Sequence, residues 1–372
     1  MKEVSPSRRS FLTRTSYLGA FYAAGGLLPL PALTEPLAGD SRIAPTPLAD
    51  RGFASIRQIG RGLYATISDR SKGLETRSNG GFLVGRDAAL MIEGFQTPTG
   101  AKFQMDTLRA VTQVPLRALD THFHFDHTLG NTYYGANGVP VWAHARAVSR
   151  MVERYTTMQA EDEAAFLAPF EKRAREARSE DVREHAQSDI KGLKGMFEPV
   201  SEHVLGLPNH PIDPGRMPLT VDLGGLEAVI ETYPGHSATD LIVRVSDQNV
   251  IYAGDLLVMG QFPVNIDGTP TPWRDTLEKF AAFDKDTLFV PGHGQICGME
   301  GVAVNRDVFD DIAGQAEKMY KAGVPVEEAA ERYVVPEQFK NFLRFSWGFT
   351  IGRTIEQFYA EWQGKPGNPL SY

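Results

Sequence analysis

Six consecutive residues constrain this chain more than any others: His122-Phe123-His124-Phe125-Asp126-His127. A short apolar run, residues 116–119, leads into them and reads as a strand. Successive side chains of a strand point to opposite faces, so His122 and His124 share a side if the extended backbone persists. The chain must then turn, and Asp126 and His127 can approach the same space from the loop. Imidazole and carboxylate suit zinc and neighbouring divalent metals. The competing reading is four polar residues in an exposed loop.

Three further segments bear on that choice. Pro234-Gly235-His236-Ser237 follows a strand-like run at 228–232. Tyr252-Ala253-Gly254-Asp255 closes another at 249–252, and Phe289-Val290-Pro291-Gly292-His293-Gly294 ends a third. Each places a ligand-capable side chain just past an apolar strand, with glycine permitting a tight turn. Sites gathered from distant sequence commonly sit on loops that a rigid scaffold holds in place.

H-x-H-x-D-H, then PGH, AGD and PGHG in that order, resembles the metallo-β-lactamase superfamily from about residue 79 to residue 294. The resemblance implies an α/β fold: a four-layer αββα sandwich, here with a helical insertion and C-terminal helices. It implies a metal-dependent hydrolase acting on a small-molecule ester, lactone, thioester or lactam. Two divalent ions, zinc in the first instance, would be the cofactor. His122, His124 and His236 would hold one ion, Asp126, His127 and His293 the other, and Asp255 would bridge them. A metal-bound hydroxide would be the nucleophile, its water pKa falling toward about 7. Asp126 would also be the catalytic residue that orients it.

Three departures narrow the resemblance. Asp255 stands where β-lactamases of the best-known subclass carry cysteine and another subclass carries serine; an aspartate there is more similar to glyoxalase II, lactonases and esterase-like members. Glu93, in Ile92-Glu93-Gly94, replaces the more usual Asp and is expected to accept a hydrogen bond from a ligand rather than bind metal. His127 and His236 lie far apart in sequence, so residues 146–200 form a helical insertion: a lid, a homodimer face or a solvated appendage. Two readings compete with a general hydrolase: a true β-lactamase, and an oxidoreductase resembling the mononuclear-iron persulfide dioxygenases.

The remaining pattern sets expectations for the scaffold. Alternating residues from 53 to 84 predict strands, with Asn79-Gly80-Gly81 as a turn, followed by a strand at 88–92, a helix at 98–113 and a strand at 139–142. Strands resume at 219–221 and 241–245, Trp273-Arg274-Asp275 reads as a helix start, and about three helices fill 302–362. Tyr133 and Tyr134 are within reach of a substrate oxyanion by sequence, although packing suits at least one of them. His144, His185, His203 and His210 read as surface or structural residues, and Cys297 as a small buried hydrophobe.

Composition then limits the setting. A formal net charge of −8 over 372 residues leaves no basic footprint for nucleic acid. One cysteine excludes an intramolecular disulfide. Ser7-Arg8-Arg9-Ser10-Phe11-Leu12, followed by a weakly apolar stretch at 17–30, resembles a twin-arginine export signal. The expected organisation is a signal segment 1–38, a catalytic domain 39–300 and a helical extension 301–372. That implies the twin-arginine machinery as a partner and a periplasmic location, with retention as an N-terminal membrane anchor an open alternative.

Overall fold

The computed structural model describes residues 40–155, 160–177, 205–343 and 348–365, with 183, 187, 190 and 194 as isolated positions. The expected signal segment, His185 and His203 lie outside the described residues.

Two sheets form the centre. The first runs in sequence order through β1 (Ala49–Asp50), β2 (Ala54–Gly60), β3 (Leu63–Ser68), β4 (Gly80–Val84), β5 (Ala89–Ile92), β6 (Leu116–Leu119), β7 (Val141–His144) and β8 (His210–Ile212). The second comprises β9 (Leu219–Asp222), β10 (Glu227–Thr232), β11 (Leu241–Val245), β12 (Val250–Val258) and β13 (Leu288–His293), in the order β13-β12-β11-β10-β9. Pairing is antiparallel through β5 and again from β9 to β12. It is parallel for β5-β6, β6-β7, β7-β8 and β12-β13.

Parallel neighbours need crossover connections, and helices supply them. Helix α1 (Pro98–Val111) joins β5 to β6, starting at the Thr97 cap with proline in its first turn. Short helices α2 (Phe125–Thr128) and α3 (Asn131–Ala136) join β6 to β7. The described parts of residues 146–200 are helical, as α4 (Ala147–Tyr155) and α5 (Ala160–Glu176). Helix α6 (Pro270–Ala281) joins β12 to β13, and α7 (Met299–Lys321), α8 (Val326–Arg332) and α9 (Arg353–Trp362) follow.

Period-two alternation explains the layering. On β5, Leu90 and Ile92 join Leu241, Val243, Val245, Val250 and Tyr252 between the sheets. Ala89 and Met91 face the other way, onto Ala101, Phe103 and Leu108 of α1. Ile242, Ile251 and Ala253 turn outward onto Trp273, Leu277 and Phe280 of α6 and Val302 and Phe309 of α7. The result is helix, sheet, sheet, helix, the four-layer sandwich that the family resemblance implied. Each large aliphatic side chain fully buried there contributes about 1.5–3 kcal/mol.

Four boundaries differ from expectation. Gly80 and Gly81 lie inside β4 rather than in a turn before it. Helix α1 stops at Val111, two residues early, because Thr112 is extended. Helix α6 begins at Pro270, three residues before Trp273: Thr269 is extended and Pro270 occupies the first helical position, where its missing N–H costs nothing. Strand β12 continues to Val258 instead of ending at Tyr252, so Asp255 sits within it. Gly254 makes this continuation irregular: its φ is +53°, and the register with β13 shifts on both sides of it.

Candidate metal centre

The parallel strands point their C-terminal ends at one edge of the sandwich, where open α/β sheets gather ligand-binding residues. Beyond β5 comes Glu93, beyond β6 come His122 and His124, and β13 ends on His293. The chain after His124 does not remain a loop. It enters α2, whose single turn carries Asp126 and His127 inward together. His236 arrives from the connection between β10 and β11, and Asp255 from the irregular stretch of β12.

All seven expected ligands converge. Three groups bring one ligand atom each within 4.8 Å of the others: His122, His124 and His236; His122, His127 and Asp255; Asp126, His127 and His293. His124 Nδ1 lies 2.8 Å from His236 Nε2. Asp255 stands between the groups, with Oδ1 3.3 Å from His127 Nε2 and Oδ2 3.4 Å from His236 Nε2 and 3.3 Å from His293 Nε2. Asp126 Oδ2 lies 3.4 Å from His293 Nε2 and 4.0 Å from His127 Nε2.

Glycine is required at two points by space. A Cβ on Gly292 would fall 1.9 Å from Asp255 Oδ1, and one on Gly254 would fall 2.5 Å from Thr121 Oγ1. Bare backbone at 292 lets β13 close on the Asp255 carboxylate, and at 254 it lets β12 approach Thr121.

Outer partners fix the rings. Glu93 Oε1 accepts from Thr121 Oγ1 at 2.5 Å and lies 3.1 Å from His127 Nδ1, while Oε2 accepts from Thr121 N. Glu93 reaches that position with φ +73°, a conformation disfavoured for a residue with a Cβ. His293 Nδ1 lies 3.2 Å from the carbonyl oxygen of Arg77, and the Arg77 guanidinium is 3.8 Å from Asp126. Ser78 Oγ donates to the Asp126 carbonyl. Asn79 Nδ2 donates to the carbonyls of Pro291 and Gly294, tying the start of β4 to the end of β13. His124 Nε2 meets buried Asp267 Oδ2 at 2.8 Å, so Nε2–H donates outward and Nδ1 keeps its lone pair for the centre.

Electrostatics divide the seven. Burial, then the neighbouring imidazoles, holds His122 well below the ordinary histidine range and drives His236 to about 3. Both are neutral near pH 7 and offer lone pairs. Burial opposes the charge on His127, but Glu93, Asp255 and Asp126 outweigh it and raise its pKa; Asp255 and Asp126 do the same for His293. Burial also opposes ionisation of Asp126 and Asp255, yet the surrounding histidines hold both well below the usual carboxylate range.

These residues fit a divalent metal. His122 Nε2, His127 Nε2 and Asp255 Oδ1 are buried without an aligned hydrogen bond among the described residues, in a cluster of unsaturated nitrogen and carboxylate donors. A buried polar atom left unsatisfied is costly, and a dication satisfies several at once. Binding would displace the protons that the carboxylates otherwise hold on His127 and His293.

The sequence reading missed Arg77, Ser78, Thr121 and Asp267 as partners. Asn265-Ile266-Asp267-Gly268 was the available signal for the last, a polar turn just before a helix. Tyr134 does not face a substrate: it is fully buried and its hydroxyl donates to the Glu93 carbonyl. Tyr133 packs with Lys102 above its ring. His144 is buried at the end of β7, with Nδ1 accepting from Arg146 N, and exposed His210 stacks on Trp142. Cys297 is buried, and burial raises its thiol pKa strongly.

The profile of the metallo-beta-lactamase superfamily matches residues 77–293, more than half the chain and all seven candidate ligands. The chain belongs to this superfamily, a family of metallo-hydrolase type. Among solved structures it is similar to the stereoselective inverting sec-alkylsulfatase Pisa1 from Pseudomonas sp. Identity is 18% and the TM-score 0.57, over 85% of this chain and 51% of that one. A double-mutant form of the same sulfatase gives 15% identity and a TM-score of 0.56 over the same shares. The chain thus spans about half the length of these alkylsulfatases. VMB-1 is 14% identical, with a TM-score of 0.49 over 71% of this chain and 100% of that one. A comparison with curated proteins gives no match.

Proposed function

We propose that this protein is a dinuclear metal-dependent hydrolase, zinc being the preferred ion, that cleaves an ester, lactone or thioester in preference to a lactam. One observation carries the reading: Asp255 presents one carboxylate oxygen to His127 and the other to His236 and His293, between two complete three-residue donor sets. His122, His124 and His236 would hold the first ion, and Asp126, His127 and His293 the second. Bound there, divalent metal lowers the pKa of water and polarises the scissile group.

The chain's own residues do the rest. Asp267 holds His124 by its outer nitrogen, and the Glu93 carboxylate lies 3.1 Å from that of His127. Asp126, kept ionised by His127, His293 and Arg77, would accept a hydrogen bond from an attacking water and fix its direction. A carboxylate at position 255 adds negative charge beside that water. This favours leaving groups that need little help, such as thiolates and lactone oxygens, over the nitrogen of a lactam.

Metal analysis joined to a turnover screen tests the reading. The expected result is close to two zinc ions per chain and at least about tenfold higher kcat/KM on the best ester, lactone or thioester than on any β-lactam, roughly 1.4 kcal/mol. A sulfate-ester arm belongs in the screen because of the alkylsulfatase likeness in fold. One iron with no zinc in active protein would move the function to the dioxygenase class, and faster β-lactam turnover would overturn the argument from Asp255.

The Arg8-Arg9 pair supports export to the periplasm by the twin-arginine route. Lysine at both positions is expected to leave folded protein in the cytoplasm, measured by fractionation; normal export of that variant would reject the route.

A further inference from the structure

The connection from β12 to α6, residues 259–269, touches the centre at one end of its span and the C-terminal helices at the other. On the outer side, Phe262 N donates to the Leu343 carbonyl at 3.0 Å, and Leu343 N donates back to the Gly260 carbonyl at 2.9 Å. Phe262 is buried against Phe339 and Phe342. Deeper in, Asn265 Nδ2 donates to Thr354 Oγ1 on α9 at 3.3 Å, and Thr354 Oγ1 donates to the Thr350 carbonyl at 2.8 Å. Neither side chain is exposed: Asn265 is 0% and Thr354 1% accessible. Two residues later, Asp267 is likewise at 0% and holds His124 Nε2. Gly268 lies against the carbonyls of Gly235 and His236, and Thr269 N donates to the Gly235 carbonyl.

We infer that Asn265 and Thr354 are positioning residues for the metal centre: helix α9 holds the 259–269 connection so that Asp267 orients His124. The C-terminal helices are then part of the site's supporting structure rather than an appendage to it. The physical reason is the short reach of an aspartate. Asp267 can accept from His124 Nε2 only while its backbone stays in place, and a buried polar pair that must remain matched is a firm tether for that backbone. Imidazole ligands owe their orientation to such outer acceptors.

This inference rests on the proposed assignment of His122, His124 and His236 to one ion. It is tested on the full chain by zinc titration calorimetry and by the visible spectrum of the cobalt-substituted protein. Asp267→Asn is expected to weaken zinc binding about 10- to 100-fold, the usual effect of losing an outer acceptor. Thr354→Val keeps the shape of the side chain but removes its hydroxyl. It is expected to weaken binding at least threefold and to shift the cobalt bands, and Thr354→Ser should restore both.

The decisive reading is the double variant. If α9 acts through Asp267, adding Thr354→Val to Asp267→Asn produces little further loss. Full additivity of the two losses, or wild-type affinity and spectrum in a folded Thr354→Val protein, overturns the inference. Should Thr354→Val fail to fold, Asn265→Ser supplies the same comparison from the other side of the contact. Wild-type protein that binds no zinc or cobalt would instead reject the metal assignment, and this inference with it.

Discussion

The two sheets build the centre in different ways. The first delivers four candidate ligands, His122, His124, Asp126 and His127, in six residues that follow one strand and include one helical turn. The second delivers three, His236, Asp255 and His293, from three separate segments, each carried there by packing of β10 to β13. Local geometry suffices for the first group. The second depends on strand register, on glycine at 254 and 292 and on the β12-β13 pairing, so it should be the more sensitive to changes away from the ligands.

The sharpest test falls on Asp255, the proposed bridge between the two ion sites. Asp255→Ala is expected to lose about one metal equivalent and to lower kcat/KM by about 10³-fold, roughly 4 kcal/mol. Full metal content in the purified variant would show that Asp255 is not shared.

Removing metal should come next in size. With zinc at 100 to 1,000 times its dissociation constant, chelation is expected to cost about 2.7–4 kcal/mol of stability, read as a fall in Tm that added zinc reverses. An unchanged Tm would mean that the folded chain holds no stabilising zinc at the centre, against the proposed function.

A smaller effect is expected from Gly292→Ala, whose Cβ would fall on Asp255 Oδ1. Displacing the carboxylate or β13 should cost about 1–3 kcal/mol and reduce metal affinity, whereas Gly135→Ala, which has open space around it, should do neither. Thermal melts and zinc titration of the pair compare ordered glycine with incidental glycine directly.

The smallest belongs to His144, which lies on the first sheet outside the cluster. Burial lowers its pKa to about 4. The unfolded chain, with histidine near 6.5, binds more protons between those values, so stability is fully present above about 6.5 and declines as pH falls toward about 4. His144→Gln is expected to flatten that decline by about 1 kcal/mol in metal-free protein, as followed by Tm from pH 7 to 4. An unaltered slope would assign the acid sensitivity to the ligand histidines.

This contrast also explains what could be read in advance. The convergence of the seven candidate ligands was legible because metal chemistry calls for those side chains, and the sandwich because alternation on β5, β11 and β12 writes two faces into each strand. Glu93 was legible by position, although its left-handed backbone was not. Asp267 and Arg77 were hidden because their roles depend on where distant connections pass, which no local pattern records. The extension of β12 past Tyr252 was hidden for a similar reason: Gly254 reads as a terminator until its partner strand is known.

Cys297, buried at the turn after β13, has a practical consequence. The chain's single native thiol is shielded from solvent and held in its unreactive protonated form. An introduced surface cysteine can therefore take a spin label or fluorophore without competition. Pairs of such labels across α5 and the 234–240 connection would report distances between the insertion and the site, with the native thiol left untouched.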